Sequence, residues 1–274
     1  MPSDRNGPAA RRIPHLITRP TGDVDDPYYW LADKQSPEVL AHLTAENEHH
    51  DEWFAPHQSL VDQVYAEIKS RIKETDESVP TLKDGWWYVT RTEEGSQYPI
   101  HCRGRSRETA TEFTLLDENV EADGHDYFSL GSFDISPDGN LLLWSGDVDG
   151  SEHFTMRVRD LRTGTELPDE ITDTSWAGTA WSLDSTSFFY VTYDDQERPS
   201  RVWHHRLGTA QADDVVVFDE PDERFYVGVD LTRSSRWIVI DSDSKTSSES
   251  RIIPADSPAT EPRVVVPRRE DVEY

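Results

Sequence analysis

One cysteine in 274 residues, Cys102, rules out an internal disulfide and leaves a thiolate metal site without partners. Basic residues are scarce. The 27 Lys and Arg stand against 54 Asp and Glu, a formal net charge of -27, which opposes docking on nucleic-acid phosphates or on anionic lipid. No apolar run is long enough to span a bilayer, and the tandem Arg11-Arg12 is followed by no apolar core of signal-peptide length. No Asn stands in an Asn-x-Ser/Thr sequon, and no Gly-rich phosphate-binding loop is present. These absences fit a reducing compartment, and a cytoplasmic location is expected. The acidic excess would attract basic peptides. A solubility adaptation to a salt-rich cytoplasm accounts for it equally, and from charge alone that plainer explanation is preferred.

What is present is a globular composition: 35% hydrophobic and 10% aromatic residues can supply a core, and 17 Pro and 14 Gly are scattered as turn punctuation. The first 25 residues are polar and broken by Pro8, Pro14 and Pro20, which suits an extended arm. Ser36-Pro37-Glu38 supplies an N-cap, a proline for the first helical position and an early acid. Val39, Leu40, Leu43, Trp53 and Phe54 then recur at helical spacing up to Pro56. A second apolar stripe, Leu60, Val61, Val64, Tyr65, Ile68 and Ile72, predicts another helix that stops by Thr75-Asp76.

From Val79 the period changes to short β-branched and aromatic runs: Trp86 to Thr92, Tyr98 to Arg103 and Glu112 to Glu118. An internal repeat then appears, SPDGNLLLWSGDVDG from Ser136, SLDSTSFFYVTYDDQ from Ser182 and TRSSRWIVIDSDSKT from Thr232. Each copy continues through a polar hairpin into a further strand, at Phe154 to Gly164, Ser200 to Gly208 and Ser250 to Asp256. A last strand follows at Asp214 to Glu220 and at Arg263 to Pro267. Four strands per unit of nearly fifty residues predict propeller blades, because a single blade exposes two apolar faces and must stack on neighbours. The expectation is mainly β, with an arm and two helices over 1–78 and a partial propeller over 79–274. Its blades fall at about 79–125, 126–170, 171–221 and 222–274. The run ends at Arg268 to Tyr274 directly after a strand, so either four blades close or a larger ring is cut short.

Particular residues point further. DPYYWL from Asp26 and SPEVLAHLTAENEH from Ser36 resemble the opening of the prolyl oligopeptidase family. EIKSRIKETDESVP from Glu67 and YVTRTEEGSQYPIHCR from Tyr88 resemble its oligopeptidase B branch. The resemblance implies an arm, a seven-bladed propeller and a C-terminal α/β-hydrolase domain with a Ser-Asp-His triad, acting on short peptides after Arg or Lys. It implies that the propeller restricts entry and that the arm packs on the hydrolase domain, which is absent from this sequence. Two alternatives remain open: a self-contained propeller that binds a protein without catalysis, and another branch of the same family.

No catalytic, cofactor or metal residue is assigned. A nucleophile elbow needs Gly-x-Ser-x-Gly, and Gly104-Arg105-Ser106-Arg107-Glu108 lacks the second glycine and lies between two strands, so it reads as a hairpin. His42 and Glu46, with His49 a turn on, lie at metal-ligand spacing but equally form a solvated helix face. His204 and His205 alternate across a strand and do not chelate one ion together. Asp147 to Glu152 and Asp241 to Lys245 resemble calcium loops without the full ligand ladder and read as hairpin tips. Trp86, Trp87, Trp144, Trp181, Trp203 and Trp237 read as blade packing.

Overall fold

A computed structural model describes residues 7–274, which divide into two units, one through Lys73 and one over Glu74–Tyr274.

In the first unit the proline-rich arm forms a minimal ribbon, β1 (Leu16–Ile17) paired antiparallel with β2 (Val24–Asp25). Helix α1 (Pro37–Phe54) begins with Pro37 at its first position, where the missing N–H costs nothing. Ser36 occupies the N-cap position but its hydroxyl makes no capping bond; its carbonyl accepts the Leu40 N–H at 3.0 Å instead. A short 3-10 turn through Pro56 leads into α2 (Gln58–Lys69). Helix α2 is strongly amphipathic as the spacing predicts and α1 only weakly so, yet of the two only α1 buries a residue, Val39. Leu40, Leu43, Trp53, Leu60, Tyr65 and Ile68 are each at least half exposed.

The second unit opens at Glu74 rather than at 79, because Asp76 and Glu77 pair with the first long strand. Its first sheet contains β3 (Asp76–Glu77), β4 (Thr81–Lys83), β5 (Trp86–Thr92), β6 (Ile100–Gly104) and β7 (Phe113–Asp117), followed by a single helical turn α3 (Glu118–Glu121). A seven-stranded sheet follows: β8 (Ser129–Ile135), β9 (Leu141–Asp147), β10 (Phe154–Asp160), β11 (Thr165–Trp181), β12 (Ser187–Tyr193), β13 (Pro199–Arg206) and β14 (Val215–Asp219). The last sheet is β15 (Tyr226–Leu231), β16 (Trp237–Asp243), β17 (Ser248–Pro254) and β18 (Arg263–Val266).

The seven-stranded sheet is two blades joined by one long strand. β11 pairs with β10 up to Thr174 and with β12 from Thr174 onward. The change of partner occurs where Asp173 has a positive φ of 57° and the Thr174 hydroxyl bonds back to the Phe154 carbonyl at 3.0 Å. The sequence boundary at 170/171 falls inside this strand. Outer strand of one blade and inner strand of the next are continuous here, so no turn residues punctuate the passage.

The repeat seen in the sequence is a repeat of hydrogen bonds. After each inner strand the Ser/Thr carbonyl accepts an N–H three residues on, at Gly139, Ser185 and Ser235. Its hydroxyl accepts the N–H five residues on, from Leu141 at 2.9 Å, Ser187 at 3.1 Å and Trp237 at 3.1 Å. The third turn residue has positive φ each time, 74° at Gly139, 59° at Ser185 and 53° at Ser235.

Packing follows from strand alternation. Along β12, Phe188 and Tyr190 enter a core with Leu143, Met156, Val158, Ile171 and Trp181. Phe189 and Val191 enter the next core with Val202, Val229, Ile238, Ile240 and Ile253. One strand therefore fills two inter-blade spaces, and each buried aromatic contributes about 1.5–3 kcal/mol. Polar ties run the same way between blades: Arg103 donates to the Gly139 carbonyl, the Asp138 N–H to Ser185 Oγ, and the Leu183 N–H to the Ala255 carbonyl.

Candidate functional site

The inner strands bring the blades together. β8, the second half of β11 and β15 lie side by side, and glycines let them approach: a Cβ on Gly178 would stand 2.3 Å from the Val229 carbonyl oxygen. Gly178 also has a φ of 96°. A groove of about 480 Å3 runs over these strands, bordered by Trp176 and by the carboxylates of Asp134, Asp230 and Asp241. Burial and the neighbouring Asp230 charge push the Asp134 carboxyl up to about 7, while Lys83 and the Ile135 N–H pull it the other way. The groove thus offers small residues and negative charge. The signal that marks these strands is a glycine four or five residues before each turn Ser/Thr, at Gly131, Gly178 and Gly228.

Ser106 lies in the loop between β6 and β7. Its hydroxyl sits 3.3 Å from Thr109 Oγ1 and accepts the Thr109 N–H at 3.3 Å, so it closes its own turn. A Cβ on Gly104 would fall 1.7 Å from the Thr109 carbonyl oxygen, which is why a glycine stands there. His42 faces Glu46 at 3.7 Å and tilts against Trp30. Among the described residues, no three His, Cys, Asp or Glu groups converge as metal ligands would.

Asp147 binds backbone rather than a cation: its carboxylate accepts the N–H groups of Asp149, Gly150 and Glu152 at 2.9–3.0 Å. Asp194 does the same one blade later, and Ser244 takes over in the last blade. Asp241 to Asp243 are not a hairpin tip, as the sequence suggested, but the end of β16; the turn itself is Ser244 to Ser247.

His204 and His205 do face opposite ways. His204 stacks on Phe189 with ring centres 4.5 Å apart, and burial pushes its pKa down. His205 is fully buried, with Nδ1 2.7 Å from Asp214 Oδ1 and Nε2 3.0 Å from Asp169 Oδ1. The Tyr190 hydroxyl donates to Asp214 Oδ2 at 2.8 Å, and burial together with that carboxylate pushes the phenol pKa up. No solvent reaches the imidazole, and its two nitrogens are engaged by Asp214 and Asp169, so the cluster acts as a cross-link between strands. Its members are separated by 36 and 9 positions, a spacing without any motif.

The tryptophans divide. Trp181 and Trp144 are core residues, whereas Trp86 carries two guanidiniums over its ring, Arg103 at 4.0 Å and Arg105 at 3.4 Å. A depression of about 690 Å3 beside the last blade is bordered by, among others, Arg224, paired with Asp222, and Arg268, paired with Glu220. Among the described residues no helix is long and apolar enough to cross a membrane.

Comparison with known proteins gives a consistent result. The family profile described as "Prolyl oligopeptidase, N-terminal beta-propeller domain" matches residues 8–274. The chain is 37% identical to dipeptidyl aminopeptidase BI of Pseudoxanthomonas mexicana, over 97% of its own length and 39% of that protein. It is 33% identical to protease 2 of Moraxella lacunata, over 97% of its length and 40% of that protein. Oligopeptidase B of Leishmania major superposes with a TM-score of 0.90 at 26% identity, covering 99% of this chain and 41% of that one. Oligopeptidase B of Trypanosoma brucei, bound covalently to antipain in a closed form, gives 0.85 at 29%, covering 97% and 40%. The chain therefore spans about 40% of the length of these relatives. With its repeated four-stranded units and that match, the chain belongs to the prolyl oligopeptidase family of serine peptidases, as the N-terminal β-propeller portion of an oligopeptidase B-like member.

Proposed function

We propose that these residues form the filtering and docking part of a cytoplasmic peptidase that cleaves short peptides after Arg or Lys, with the bond-breaking groups in an α/β-hydrolase domain outside them. The observation that carries this reading is the uncovered apolar stripe of α1 and α2, from Leu40 and Leu43 to Tyr65 and Ile68, in contrast to the closed cores of the blades. A stripe of that size asks for a partner surface, and the missing share of the relatives' length supplies one. The Asp230 and Asp241 carboxylates on the inner strands, together with the overall negative charge, would concentrate cationic peptides. A rigid ring of blades at that entrance would turn away folded chains. These 274 residues alone are then inactive, since Ser106 is committed to its own turn.

The test uses the protein encoded by the reading frame that contains this chain. Tyr65→Asp combined with Ile68→Asp is expected to cut hydrolysis of an N-blocked Arg reporter peptide at least about tenfold, a loss of about 1.4 kcal/mol, with blade unfolding unchanged. Hydrolysis equal to wild type would refute the docking role. A second reading, release of dipeptides from a free N-terminus, is favoured by the 37% identity to dipeptidyl aminopeptidase BI. Cleavage of an unblocked dipeptidyl reporter but not of the blocked one would select it.

A further inference from the structure

About half of the described arginines find carboxylates, as Arg159 does with Glu121 and Glu166, Arg198 with Asp194, and Arg268 with Glu220. With twice as many acids as bases, such pairing is favoured. Arg103 and Arg105 depart from it. Both guanidinium carbons lie within 4.0 Å of the centre of the Trp86 ring, and neither has a carboxylate partner among the described residues. Arg103 is buried; one terminal nitrogen donates to the Gly139 carbonyl at 2.9 Å, and its Nε is left without an acceptor. Arg105 is exposed, and its only described contact is the indole. Cation–π attraction of about 0.5–2 kcal/mol each holds two like charges on one ring, without an ion pair to either guanidinium among the described residues.

The pair borders a cleft of about 480 Å3 between the first two blades, with Phe113 and Leu161 on its apolar side. The Phe113 ring meets Trp86 edge-on at 5.9 Å and is nearly half exposed. Other charges at the rim are accounted for. Arg162 is paired with Asp160, and the Asp138 carboxylate accepts the Ser136 hydroxyl at 2.6 Å and the Asn140 N–H at 3.0 Å. Glu112 alone is an unengaged carboxylate at this rim among the described residues, and it would compete with an incoming anion.

We propose that this cleft binds an oxyanion, a carboxylate or phosphate group carried by a small molecule whose flat or apolar body rests against Phe113 and Leu161. Guanidinium donors match planar oxyanions, and an anion in the cleft that both arginines line would be drawn by both charges. The site stands apart from the inner-strand groove and does not depend on how the peptidase reading is resolved.

Titration of the purified chain tests it, by tryptophan fluorescence and calorimetry at fixed ionic strength, with inorganic phosphate, acetate and benzoate as probes and chloride as the control. Saturable binding of at least one oxyanion is expected, with benzoate ahead of acetate if a carboxylate is the natural group and phosphate ahead of both if it is not. Arg105→Ala, which removes an exposed side chain, should weaken binding about tenfold or more. Arg105→Lys should restore part of it, and Glu112→Gln should tighten it about two- to fivefold. Circular dichroism of each variant separates lost binding from lost folding. The proposal is overturned if no oxyanion saturates beyond chloride, or if folded Arg105→Ala binds as wild type does.

Discussion

The helices and the blades carry similar apolar patterns and meet opposite fates. In α2 a stripe at steps of three and four leaves Leu60, Tyr65 and Ile68 more than half exposed, whereas in β12 four successive apolar side chains, Phe188 to Val191, are essentially inaccessible. Periodicity alone states how many faces a segment must bury. It does not say whether the chain itself supplies the cover. β12 finds cover in both neighbouring blades; the helices find little, and the proposed docking role rests on that difference.

Substitutions at matched apolar positions should expose the contrast most sharply. Phe189→Ala, which empties a site between two blades, is expected to cost about 3–5 kcal/mol in chemical denaturation. Tyr65→Ala on the open face of α2 should stay within about 0.5 kcal/mol in this chain. Equal losses at the two sites would dissolve the distinction.

Polar cross-links should weigh nearly as much inside the blades. His205→Ala leaves Asp169 and Asp214 without the imidazole between them, and a loss of about 3 kcal/mol or more is expected by the same denaturation measurement. Breaking the exposed Arg11–Glu38 pair of the helical unit with Arg11→Ala should cost no more than about 0.5 kcal/mol.

A smaller, pH-dependent effect belongs to the inner strands. Asp134 has its carboxyl pushed from 3.8 to about 7 in the folded state. The fold therefore holds that proton where the unfolded chain releases it, and stability falls as pH rises from about 4 through about 7. Asp134→Asn should flatten this slope and leave the variant more stable than wild type by about 2–4 kcal/mol above pH 7. A wild-type stability that rises across that interval would place the proton elsewhere.

Much of this arrangement was legible in advance where side chains make local bonds. Ser136, Ser182 and Thr232 announced the turn after each inner strand because the hydroxyl and carbonyl of one residue organise the whole turn. Trp86 to Thr92 matched β5 residue for residue. The inner strands were harder to see, since glycines such as Gly178 dilute their apolar alternation for the sake of close approach. The passage through Asp173 was hidden because a strand that changes partners has no turn chemistry. Ser36 looked like a hydroxyl cap, yet only its carbonyl is engaged in the helix start. The candidate sites were legible least of all: Asp169, His205 and Asp214 meet through the sheet, and the Trp86 ring meets Arg103 through pairing of neighbouring strands, contacts that no spacing along the chain encodes.

Incubating the isolated 274-residue chain with N-blocked Arg and Lys reporter peptides addresses the division of labour most directly. Hydrolysis indistinguishable from buffer is the expected result, with cleavage appearing only when the hydrolase portion is supplied. Turnover by the isolated chain that disappears in Ser106→Ala would contradict it.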